Sequence, residues 1–257
     1  MGARQAHIKR WIERLTGRHI ERVGQRSYAF VDPASRTDAW CAPHWQMQRA
    51  MEDLRVDLVL DAGAHEGSFA TRLRREYAGD LDSFEPVAAT FARLRDTAAG
   101  DARWHLHQIA LGRADTSAVI HVAANTVFSS LRPANAFSAK RFEKESAPVR
   151  DETVTVRRLD AVLRETVPDI GRRRVFLKTD TQGFDLEVLR GAERMLTSGA
   201  VRLVFMEITF SEMYIGLPRF DETFAFLADR RFRLVAFYDF YYQRDRAAWT
   251  DGLFIYE

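Results

Sequence analysis

The stretch LVLDAGAHEGSF, residues 58–69, places two acids, a histidine and two glycines at the end of an apolar run. A strand, a glycine turn and a helix in that order bring backbone N–H groups up to a ligand. Glycine lets the backbone turn sharply and approach that ligand closely. Gly63 and Gly67 have the spacing G-x-x-x-G, so the G-x-G-x-x-G pyrophosphate fingerprint of nicotinamide enzymes is not met. Asp61 inside the turn repels a pyrophosphate and attracts an ammonium group. Glu85 ends the next apolar strand, where an acid accepts hydrogen bonds from both ribose hydroxyls. Taken singly, a strand-end acid is as well explained as a helix cap. Together Asp61, Gly63, His65, Gly67 and Glu85 describe a loop for a nucleoside cofactor with a cationic part and no phosphate, as in S-adenosylmethionine. Glu66 enters the first turn of the helix, where an acid suits the dipole.

Further along, Gln108 ends a third strand at the level of an adenine, as an adenine contact or as a surface amide. Asp180 ends VFLKTD, and strand alternation puts Lys178 on the same face. An acid at that strand end is a candidate general base for an acceptor, with Gln182 beside it to orient a hydroxyl. Glu207 follows the apolar run VRLVFM, and an acid there needs either a function or an arginine partner. Asp180 and Glu207 are also placed to share a divalent ion, though two carboxylates alone do not define a metal site. His65 is a third candidate base, or a contact to the methionine part of the cofactor. His105 and His107 share one strand face but lack a third ligand. Tyr214, Tyr238, Tyr241 and Tyr242 either line a pocket or pack at the rim.

These residues must be held by an alternating succession of strands and helices. VDLVLDAG, DLDSFEP and RWHLHQIAL read as strands, with helices over 66–77 and 87–98 between them. SAVIHVAA and ETVTVRRL add strands. DAVLRETV is a short helix with Asp160 as its N-cap. RRVFLKTD, a helix over FDLEVLRGAERMLTSG, and VRLVFMEI follow. A helix over 218–230 precedes a closing antiparallel pair, FRLVAFYDF with GLFIYE. Such alternation implies an α/β fold with a mostly parallel sheet covered on both faces. Ligands then bind at the carboxyl edge of the strands, at the switch point. The first 55 residues stand apart: a helical extension at roughly 5–23, with Ile8, Trp11, Ile12 and Leu15 at helical spacing, then a turn-rich aromatic stretch suited to a cap.

The 257 residues suit one such domain with an appendage, and 46% apolar content is enough for a sizeable core. A net charge of +2 gives no argument for nucleic acid. The single cysteine, Cys41, excludes an internal disulfide and fits a reducing cytoplasm. No stretch has the length of an integral membrane segment. A homo-oligomer is left open.

LVLDAGAHEGSF, SFEPVAATFARL, HQIALG, VFSSL, VTVRRLDAVL, FLKTDTQGFDLEVLRGAERML and DGLFIY occur in the order seen in FkbM-type methyltransferases. Over about residues 56–257 the chain resembles this S-adenosylmethionine-dependent family, and KTDTQGFDLEVLRGA is its most specific block. The resemblance implies a Rossmann-like class I methyltransferase fold and O-methylation of a small-molecule hydroxyl acceptor: a glycoside, polyketide or similar natural-product intermediate. It implies that Asp61, Gly63 and Gly67 form the cofactor loop, that Glu85 is the ribose acid, and that Ser129 and Ser130 adjoin the site. His65, Phe184 and Asp185 depart from the family's usual Asn, small residue and Glu. Methylation of a polysaccharide or lipid-linked glycan is the alternative, favoured by the basic N-terminus. A non-catalytic cofactor-binding protein and a nicotinamide oxidoreductase are the rivals; the missing fingerprint argues against the latter.

Overall fold

The computed structural model describes residues 19–22, 28–31, 43–135, 144, 147–243 and 246–257. The chain forms two compact units, Met1–Asp53 and Leu54–Glu257. In the first, β1 (His19–Arg22) pairs antiparallel with β2 (Tyr28–Val31), and α1 (Pro43–Asp53) follows. The helix expected over 5–23 falls largely outside the described residues. Its last part, His19–Arg22, is a strand, because the aromatic and β-branched YAFV segment offers it a ladder partner. The expected cap, residues 32–42 above all, also lies outside the described residues.

The second unit is built on a seven-stranded sheet. Its parallel strands are β3 (Leu58–Ala62), β4 (Asp80–Phe84), β5 (Trp104–His107), β9 (Val175–Thr179) and β10 (Val201–Thr209). β11 (Phe232–Gln243) and β12 (Arg246–Tyr256) close it, with β12 antiparallel to both β10 and β11. The order is β11-β12-β10-β9-β3-β4-β5. The chain therefore winds from β3 outward through β4 and β5, then returns to build β9 and β10 on the other side. The switch point falls between β3 and β9, where the carboxyl ends of adjacent strands diverge into a crevice. This is the α/β architecture with a mostly parallel sheet and a C-terminal antiparallel pair that the alternation of elements predicts.

Every residue of β3 and β9 is buried, as the central strands of a sheet covered on both faces must be. The connecting helices are α2 (Ser68–Leu73), α3 (Ala88–Thr97), α4 (Leu159–Thr166), α5 (Asp185–Gly191), α6 (Glu193–Ser198) and α7 (Phe220–Ala228). Leu58 and Leu60 join Leu163, Leu177, Leu186 and Leu189 in the main core, all nearly inaccessible to solvent. SAVIHVAA and ETVTVRRL do not enter this sheet. They form β7 (Thr116–Ala123) and β8 (Pro148–Arg157), which with β6 (Ala110–Leu111) make a separate three-stranded sheet with its own apolar cluster, Ile120, Val122, Val154 and Val156. The single strand expected over RWHLHQIAL is thus cut at residues 108–109, its two ends serving different sheets.

Asp160 is not the N-cap of α4. It lies in that helix's first turn, and its carboxylate accepts from Arg194 N (2.9 Å) and Met195 N (3.2 Å) at the start of α6. Among the described residues, no helix is long and apolar enough to cross a membrane.

Candidate functional site

A cavity of about 230 Å³ lies along the carboxyl edge of the strands, across the switch point. Gly63, His65, Glu85, Ser129, Lys178 and Asp180 are among its walls. Gly63 is there for two reasons. Its φ is +72°, and a Cβ would collide with the carbonyl oxygen of Asp180, so only glycine lets β3 and β9 end this close together.

Glu85 directly follows β4 and is buried to within 6%. Its carboxylate accepts from Val87 N at 2.9 Å through one oxygen and from His65 N at 3.1 Å through the other. Burial pushes its pKa up to about 7 against the pull of those two N–H groups. A carboxylate offers about four acceptor positions, so two remain for hydroxyl donors in the cavity.

Asp61 is placed differently from the sequence expectation. It is fully buried and does not line the cavity. Asp61 and Lys178 are register partners on β3 and β9, and the lysine Nζ lies 2.8 Å from the carboxylate. Lys178 also donates to the Gly63 carbonyl at 3.0 Å. Burial opposes the charge on Lys178, but Asp61, then Asp180, hold its pKa above the ordinary value. The acid of the loop thus acts on the cavity through a lysine, not on a ligand directly.

Gly67 is likewise off the cavity wall. It opens α2 with φ +86° and fits against Leu94 and Trp104. Gln108 is exposed and does not line the cavity; its neighbours Ile109 and Ala110 do. Ser129 is at the wall, with its hydroxyl oxygen accepting from Ala123 N at 3.2 Å.

His65 has φ +51°, and its Nε2 lies 2.7 Å from the Thr126 hydroxyl. Burial, against the field of Glu66, lowers its pKa below the ordinary imidazole value. The residue's backbone N–H steadies Glu85. Asp180 stands at the wall with its side chain 46% exposed; it accepts from Gln182 Nε2 at 3.0 Å and lies 4.0 Å from Lys178. Gln182 in turn accepts from the Tyr214 hydroxyl at 2.7 Å.

Glu207 is not at this cavity. It lines a separate small cleft with Asp185 and Thr223. Burial, with Asp180, Asp185 and Asp251 nearby, raises its pKa well above its ordinary value. Among the described residues no three His, Cys, Asp or Glu side chains converge as a metal set, which leaves the Asp180–Glu207 ion without support. His107 is taken by Asp82 at 2.6 Å. Nor do the four tyrosines line the cavity: Tyr214 and Tyr238 are buried, while Tyr241 and Tyr242 are exposed.

The walls include residues that sequence reasoning passed over. Phe69 of α2 and Phe205 of β10 stack at 6.5 Å, and Asp251 of β12 lies beside them at one end. Phe184, which the sequence already marks as a departure from the family's pattern, closes another part, with the Arg132 guanidinium 5.5 Å over its ring. Lys178 was detectable from its alternation with Asp180. Asp251 was not, because only the antiparallel register of β12 sets it opposite Glu207 and faces it to the site.

Compared with known proteins, residues 61–234 match the family model described as the methyltransferase FkbM domain. No curated protein matches the chain. Among solved structures it is similar to magnesium protoporphyrin IX methyltransferase from Synechocystis PCC 6803 with bound SAM, at 10% identity and TM-score 0.45, over 82% of this chain and 76% of that one. It is also similar to an rRNA methylase from Streptococcus thermophilus, at 11% identity and TM-score 0.42, over 84% and 96% of the two chains. A third is precorrin-6y C5,15-methyltransferase from Geobacter metallireducens GS-15, at 11% identity and TM-score 0.38, over 83% and 89%.

Proposed function

The chain belongs to the FkbM methyltransferase family, an S-adenosylmethionine-dependent family, and from that premise we propose that it methylates a hydroxyl group on a small-molecule biosynthetic intermediate. The observation that carries the cofactor assignment is Glu85: a nearly buried carboxylate at the end of β4, facing a cavity, with acceptor positions left over. A ribose diol supplies the two O–H donors that such a group requires. When bound, S-adenosylmethionine supplies an electrophilic methyl group on a positively charged sulfur.

The chain's own residues supply position and charge. Gly63 and His65 form the turn against which the cofactor lies, and Lys178, pinned by Asp61 and the Gly63 carbonyl, fixes the floor between β3 and β9. Ile109, Ala110 and Leu111 offer an apolar wall to a base. Phe69 and Phe205 give the far end an aromatic surface that excludes water from the reacting atoms. An oxygen acceptor must lose a proton as it is methylated, and the carboxylates at that end are suited to receive it. We assign the acceptor as a glycoside, polyketide or similar natural-product intermediate.

Calorimetric titration with S-adenosylmethionine and S-adenosylhomocysteine, with NAD as control, tests the cofactor site. Both adenosyl ligands should bind at micromolar concentration, and Glu85→Ala should weaken them by about 10- to 100-fold, the worth of hydrogen bonds to a charged group. Binding of NAD alone would overturn the assignment. Transfer of labelled methyl to a panel of hydroxylated glycosides and polyketides then tests the acceptor class.

A further inference from the structure

Resting on the methyltransferase reading, we infer that Asp251 is the catalytic residue that takes the proton from the acceptor hydroxyl. Two observations carry this. The first is position. Glu85 follows β4 and Asp251 belongs to β12, and the cavity reaches both across β3, β9 and β10. Four strand spacings separate them, about 19 Å at about 4.8 Å each. With the ribose held at Glu85, the second reactant enters at the Asp251 end, against the stacked rings of Phe69 and Phe205, which line the same cavity.

The second is the lack of a partner. Among the described residues the Asp251 carboxylate accepts no hydrogen bond and meets no cation within ion-pair distance. Asp180, the carboxylate that the sequence favours as base, has Gln182 Nε2 at 3.0 Å and the Lys178 ammonium at 4.0 Å as partners, whereas Asp251 has neither an amide nor a cation beside it among the described residues. An unpaired carboxylate on a cavity wall is costly unless a ligand brings it a donor. Burial, with Asp180, Asp239 and Asp185 adding repulsion and Lys178 opposing it, pushes the Asp251 carboxyl up to about 7. Glu207, directly opposite on β10, is the remaining acid facing it. A carboxylate of that basicity suits a proton acceptor working near neutral pH.

The step balances as follows. The acceptor oxygen forms a bond to the methyl carbon, the carbon–sulfur bond breaks, and its electron pair stays on sulfur, which becomes neutral. The O–H proton passes to Asp251 as the oxygen–carbon bond forms, and Asp251 then returns it to solvent.

Sinefungin tests this without a known acceptor, since it carries an ammonium group where the cofactor carries the methylated sulfur. Calorimetry at pH 8 compares it with S-adenosylhomocysteine on the wild type, Asp251→Asn and Asp180→Asn. The wild type should bind sinefungin about 5-fold more tightly than S-adenosylhomocysteine, through attraction between its ammonium group and the carboxylate across the space that the acceptor oxygen would occupy, bridged by one water. Asp251→Asn should abolish that preference while binding S-adenosylhomocysteine as the wild type does, and Asp180→Asn should keep it. A preference retained in Asp251→Asn overturns the proposal. So does an equal loss of both ligands, because a proton acceptor at the methyl position has no reason to hold the thioether. So does a wild type that binds S-adenosylhomocysteine but shows no preference for sinefungin. A wild type that binds neither ligand removes the cofactor reading itself.

Discussion

Lys178 and Asp61 show how the site divides its work between groups that face the ligand and groups that hold them. The lysine side chain is only 6% exposed and the aspartate not at all. Each charge is tolerable there only because the other is 2.8 Å away. Removing one partner leaves an uncompensated charge between β3 and β9. Lys178→Met should therefore lower unfolding free energy by about 3–5 kcal/mol. The double variant Asp61→Asn/Lys178→Met should recover much of that loss. Urea denaturation of the single and double variants checks both, and a single variant as stable as the wild type would show that the pair is not what holds the strand ends together.

At the scale of elements, helices α4 and α6 are joined by one carboxylate. Asp160 receives two N–H groups from the first turn of α6, groups that no residue within that helix can bond. The side chain also sits at the positive end of the α6 dipole. Asp160→Ala should cost about 1–2 kcal/mol, in the range of a lost cap, and Asp160→Asn should cost less. Thermal unfolding of both variants checks the order. The three-stranded sheet of β6, β7 and β8 is a second lesson at this scale. Its strands are legible as alternating apolar patterns, but alternation does not say which sheet a strand joins. Residues 108–109 redirect the chain out of the main sheet after four residues of β5.

For the molecule as a whole, the acids of the cavity couple stability to pH. Glu85 and Asp251 have pKa values of about 7 in the folded protein, against ordinary values of 4.5 and 3.8. Between those limits the folded state binds protons that the unfolded chain has lost, so these two groups stabilise the fold less as pH rises toward 7. Below about pH 4 both states are protonated, and above about pH 8 both are ionised, so the dependence is confined to the interval. Replacing both acids by their amides removes it. The double variant Glu85→Gln/Asp251→Asn should gain stability relative to the wild type as pH is raised from 5 to 8. Denaturant titrations of both proteins across that range check the sign; a constant difference would show that neither carboxyl is shifted. The fold holds acids in a poorly solvated crevice at a cost to stability, the usual trade at a ligand site.

The sequence alone determined the alternation of strands and helices, and hence a largely parallel sheet, because the apolar runs and their periods are local properties. It also determined the family, because the ordered motifs from LVLDAGAHEGSF to DGLFIY are local too. Gly63, His65, Glu85, Ser129 and Asp180 do line the cavity, since residues at strand ends and in the turns after them converge on one edge whenever the strands run parallel. The tertiary structure decided everything that depends on a partner distant in the chain. Asp61 is withdrawn from the cavity because β9 is its neighbour and brings Lys178 to it. Glu207 lines another cleft although it is the register partner of Asp251, and Gln108 is left at the surface because the chain changes sheets there. Asp251 reaches the site only because β12 inserts antiparallel beside β10, in a register that no property of its own segment specifies. Local pattern fixes which face of a strand is apolar; which charges end up sharing a crevice is set by strand order and register, and those are settled only when the sheet closes.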